Sequence, residues 1–77
     1  MRELLITNDP VVLSYAQSLL ADEGIDAVVF DNHISLMEGS IGVFPRRVLV
    51  SGEAWHRAAR LLDEAGLGAW LMADDND

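Results

Sequence analysis

The sequence contains no cysteine, which removes disulfides, thiol catalysis and zinc–thiolate sites. It contains no lysine either. Its 5 basic residues are all arginine, set against 13 Asp and Glu, for a formal charge of −8. So acidic a balance argues against a nucleic-acid binder, because affinity for the phosphate backbone comes mainly from Lys and Arg. No apolar run approaches the roughly 20 residues of a membrane span. Arg2-Glu3 followed by a short apolar stretch is no signal peptide. Neither G-x-G-x-x-G nor a phosphate loop occurs. What is present is 77 residues, 51% of them hydrophobic, which suits one small globular domain. The expectation is a soluble, cytoplasmic bacterial domain over residues 1–73, followed by a disordered acidic tail at 74–77.

Hydrophobic periodicity divides the chain into six elements. Leu4, Leu5 and Ile6 lie in a first strand, and Asn8-Asp9-Pro10 opens a helix, with Asp9 the better N-cap and Pro10 suited to the first helical position. Val12, Tyr15, Ala16, Leu19 and Leu20 form one helical stripe, with Ser14, Gln17, Ser18 and Asp22 opposite. Gly24 followed by Ile25 is a glycine stop, and Ala27 to Phe30 is a second strand. After a long connection, Arg47 to Val50 is a third strand. Ser51 caps a second helix with a core stripe of Trp55, Ala58, Ala59, Leu62 and Ala65, and Glu53 and Arg57 are spaced to pair on its outer face. Gly66-Leu67 repeats the stop, and Ala69 to Met72 reads as a fourth strand. The two halves match in sequence, with the offset that carries Gly24 onto Gly66.

Strand, helix, strand, twice over, predicts a ferredoxin-like βαββαβ sandwich in the α+β class: an antiparallel sheet with both helices on one face. A sheet covered on one face should alternate to polar on the other. Here Leu4-Leu5-Ile6, Val28-Val29-Phe30 and Val48-Leu49-Val50 are continuous, so the open face calls for cover. Self-association as a homodimer or other homo-oligomer would supply it, as would the C-terminal segment or the long connection folding across.

That connection, Asp31 to Pro45, is much longer than the roughly two to five residues of a hairpin loop. It interleaves Ile34, Leu36, Met37, Ile41, Val43 and Phe44 with polar groups, and so is either a long hairpin or a binding loop. Arg46 and Arg47 follow it. Alternation along a strand sends them to opposite faces, where they are candidates to bind an anion or to pair with Glu38 or Asp31. Asp31, His33 and Ser35 lie at i, i+2, i+4, but no oxyanion donor or pocket accompanies them, so no catalytic residue is assigned. The same residues with Glu38 match no metal-ligand spacing, and no metal or cofactor is expected. Gly39-Ser40-Ile41-Gly42 fits the G-x-x-G of KH domains, but it lies between strands and in the wrong charge context.

Leu5-Ile6-Thr7-Asn8-Asp9-Pro10, the Leu19-Leu20-x-x-x-Gly24-Ile25 stop, Gly42-x-x-Pro45-Arg46-Arg47-Val48-x-Val50 and Ala58-x-x-Leu61-Leu62 resemble a family of small bacterial domains. That family is described as putative prokaryotic signal transducing protein. The resemblance spans nearly all of Leu4 to Gly66 and implies the same ferredoxin-like fold. Its signalling name rests on likeness to nitrogen-regulatory PII proteins, in which the loop between the second and third strands meets partners. PII proteins are longer, trimeric, and bind nucleotide through segments without counterpart here. The resulting expectation is a non-enzymatic regulatory domain that binds a partner protein or a small anionic effector through its β2–β3 loop. The candidate residues are His33, Ser35, Glu38, Ser40, Arg46 and Arg47. The alternative is a self-assembling module that dimerises through its open apolar sheet face.

Overall fold

The computed structural model describes residues 1–30 and 45–72. Within them the chain runs β1 (Arg2–Thr7), α1 (Pro10–Asp22), β2 (Ala27–Phe30), β3 (Arg46–Val50) and α2 (Trp55–Leu62), the last entered through a 3₁₀ turn at Gly52–Ala54. The strands form one antiparallel sheet in the order β1-β3-β2, so β3 is inserted between the two strands that α1 connects. This is the ferredoxin-like α+β arrangement expected from the sequence.

Local chemistry sets the helix ends. The Asp9 carboxylate accepts the Val11 N–H at 2.9 Å, and the buried Thr7 hydroxyl accepts the Asp9 N–H at 3.0 Å, so the turn from β1 into α1 is tied at both ends. At the other end Gly24 takes φ +71°, the Gly24 N–H reaches the Ala21 carbonyl and the Ile25 N–H reaches the Leu20 carbonyl. With Ile25 and Leu20 both buried, this is a complete Schellman stop. Gly66 repeats the left-handed step at φ +92° as the chain turns over Asp63–Leu67.

The core is built from Leu4, Leu5, Val48 and Val50 of the sheet against Val12, Leu13, Ala16 and Leu20 of α1 and Trp55, Ala58 and Leu62 of α2. Two expectations are corrected. On α1, Tyr15 is 46% exposed and Leu13 is buried in its stead. The buried stripe is centred on Ala16 and Leu20, and Tyr15 lies roughly a third of a turn away from that centre. On α2, Arg57 does not pair with Glu53 but donates through Nη2 to the Glu23 carbonyl at 3.1 Å, joining the end of α1 to the second helix.

The run Leu4-Leu5 has a specific cause. Glu3 pairs with Leu49 and Leu5 with Val48, so Leu4 is an extra residue in β1, a bulge that lets two consecutive leucines bury fully. Beyond the bulge alternation returns. Leu5, Val48 and Val29 share the helix-covered face, whereas Ile6, Leu49, Val28 and Phe30 share the open one with Glu3 and Arg47. The open face is thus apolar as expected, but with an acid and a base set into it.

The fourth strand is the larger correction. Residues Gly68–Trp70 form a 3₁₀ turn, and among the described residues that follow, Leu71 reaches the sheet as one antiparallel bridge to Leu5, with the Met72 N–H donating to the Leu4 carbonyl at 2.8 Å. This bridge occupies the outer side of β1, the place a fourth strand takes in this topology. The β1 bulge offers little regular edge to extend it. The acidic tail at 74–77 lies outside the described residues.

Candidate functional site

The sheet has two ends of different character. At one, β1 ends in Thr7, β2 in Phe30, and β3 begins at Arg46, so the long connection leaves and returns here. His33, Ser35, Glu38 and Ser40 lie in 31–44, outside the described residues. Arg46 and Arg47 are placed, and they are not brought together. Strand alternation puts Arg46 at the margin of the helix-covered face, opposite Thr7. Arg47 stands on the open face in one row with Ile6 and Phe30.

Asp31 and Glu38, the carboxylates expected to pair with the arginines, lie outside the described residues. Among those described, Arg47 meets Glu3, with Nη1 at 3.1 Å from Glu3 Oε2, diagonally across β1 and β3, and the two side chains 53% and 39% exposed. An ion pair this open to water contributes no more than about 1 kcal/mol. It leaves the guanidinium accessible, beside Phe30 at 65% and Val28 at 48% exposure. A planar cation with five donors next to exposed apolar side chains suits the recognition of a carboxylate or phosphate carried on an apolar body.

At the opposite end of the sheet an open cleft of about 500 Å³ lies among Met1, Asp26, Ser51, Glu53, Ala54 and Arg57. Beside it Trp55 is anchored in three ways. Its Nε1–H donates to the Glu3 carbonyl at 2.8 Å, the Arg2 guanidinium lies 4.0 Å over its ring, and His56 meets it edge-on at 5.1 Å. Trp55 is therefore the core aromatic that the sequence suggested, and Trp70 is half-buried against the same core. His56 is exposed on α2.

Sequence reasoning missed Glu3 as the partner of Arg47. It also missed that Val28 and Phe30 lie on the same face as that pair. Period-2 alternation was the available signal, but its phase across the strands depends on register, which the bulge shifts. No helix among the described residues is long and apolar enough to cross a membrane. No curated protein matches the chain. Its body does have kin: residues 1–66, from β1 to the second glycine stop, match the model of a family described as putative prokaryotic signal transducing protein, and the chain belongs to that family.

Proposed function

We propose that this domain is a non-enzymatic cytoplasmic regulator that binds a partner protein or a small anionic effector through its β2–β3 connection. The observation that carries this reading is the exposed Arg47 guanidinium beside exposed Phe30 and Val28, at the foot of that connection. In this reading Arg46 and Arg47 pair with the anionic group, and His33, Ser35, Glu38 and Ser40 supply hydrogen bonds. A chain of charge −8 that places two of its 5 arginines side by side in sequence at this point concentrates its scarce positive charge there. The family's signalling description is consistent with a role in binding.

Native mass spectrometry of protein purified gently from its own cells tests the reading. The expected result is extra mass, either a few hundred daltons (by rough size of a small effector) or a second polypeptide. That mass should be absent from the Arg46→Ala/Glu38→Ala variant, whose thermal midpoint stays close to the parent's. Extra mass retained by the variant refutes the assignment of those residues.

A second reading has its own observation. Val28 and Phe30, with Ile6 and Leu49 partly exposed beside them, form an apolar surface that a self-assembling module would bury against a copy of itself. It predicts a plain multiple of 8.4 kDa in the same spectrum and its collapse to monomer in Phe30→Asp.

A further inference from the structure

The two edges of the sheet are treated differently. The outer side of β1 is occupied by the Leu71 bridge and the Met72 hydrogen bond. Among the described residues, β2 ends the sheet on the other side. Its sequence, Ala27-Val28-Val29-Phe30, pairs with β3 without a bulge and has none of the charge or proline by which edge strands are commonly protected. Beside it an open cleft of about 420 Å³ runs between the second half of α1 and the start of β2, lined by Gln17, Leu20, Ala21, Ile25, Asp26 and Ala27.

An edge strand with a groove and a helix alongside is the geometry of strand addition. There the main chain of an incoming segment continues the ladder, and its alternate side chains are read by pockets. A strand added at the usual spacing of about 4.8 Å would send every second side chain toward the cleft and the others over the open face beside Val28 and Phe30.

Charge decides what fits. Asp22, Glu23 and Asp26 are all exposed around the C-terminal end of α1, where the helix dipole is negative. The last turn has no basic residue of its own, and Arg57 of α2, bound to the Glu23 carbonyl, sets one guanidinium against three carboxylates. A second copy answers this poorly: it brings a charge of −8, and β2 itself has no cation to offer. We propose that the outer edge of β2 and its cleft receive an extended segment of a partner protein, apolar at alternate positions and carrying Lys or Arg at the end that lies beside Asp26. This surface adjoins the effector site proposed above at Val28 and Phe30 but uses neither Arg46 nor Arg47, and it adds a main-chain contact which that reading does not include.

The test titrates two synthetic peptide sets into the isotope-labelled full chain and follows backbone amide shifts. Both sets share an alternating Val/Thr core, one ending in Lys-Lys and the other in Glu-Glu. The Lys-ended set is expected to bind, with the largest shifts at Ala27–Phe30 and along the Gln17 to Asp26 stretch. Asp26→Lys should weaken it about threefold or more, from the usual size of an exposed charge pair. Ala21→Trp, which fills the cleft from an exposed position, should abolish binding. Absence of shifts at Ala27–Phe30 in the unaltered chain overturns the proposal, as does equal binding of the Glu-ended set. So does protection of β2 that rises with protein concentration alone as the mass doubles, which would give the edge to a second copy.

Discussion

Trp55 shows how one side chain joins elements that local sequence leaves separate. It closes the start of α2 onto β1 through a hydrogen bond to the Glu3 carbonyl and through the Arg2 guanidinium over its ring. Trp55→Phe keeps most of the apolar body but removes the only side-chain donor of the indole, leaving that carbonyl short of a partner. The expected cost is about 1–3 kcal/mol. It would be read as a fall in the urea midpoint, or as a drop in melting temperature of roughly 4–8 °C per kcal/mol for a domain this small. That Trp55 is buried was legible from its place at the head of an apolar helical stripe. Its acceptor was not, because Glu3 is a polar residue far away in the chain and the bond is to its backbone.

Among the elements, the helix stops were the most legible features and the strands at the margin the least. Gly24 and Gly66 both take the left-handed conformation, as the matching halves of the sequence implied. A glycine stop is a contract among neighbours within about six residues, so the sequence contains all its parties. Gly24→Ala and Gly66→Ala should each cost about 1–2 kcal/mol, the penalty of a Cβ at positive φ, measured by equilibrium unfolding. The β1 bulge and the residual fourth strand are different, since both depend on pairing. Met72→Pro tests the latter directly: it deletes the N–H that Leu4 accepts at a buried position. The expected loss is about 1–3 kcal/mol, with faster hydrogen exchange along β1 and little change at β2.

At the scale of the whole molecule, a small acidic domain arranges its exposed apolar surface and its few cations with respect to one sheet. Among the described residues, helices and core cover one face and Leu71 and Met72 cover one edge, which leaves the second face with Val28, Phe30 and the Glu3–Arg47 pair and the outer edge of β2. Both proposed contacts use this remainder, and the Arg46/Glu38 and Asp26/Ala21 variants separate them. The amino-acid sequence by itself determined the order of elements, the capping of α1 by Asp9, both glycine stops, most of the core and the opposite placement of Arg46 and Arg47. Each of these follows from periodicity or from hydrogen bonds between near neighbours. Only the tertiary structure decided that Leu13 is buried in place of Tyr15, that a bulge seats Leu4 and Leu5 together, that Arg47 meets Glu3, and that Gly68–Trp70 turn as a 3₁₀ helix where a fourth strand was expected. Those outcomes depend on how α1 is rotated against the sheet and on the register between strands far apart in the chain. Register is set by the packing of the whole core, which no short stretch of sequence contains.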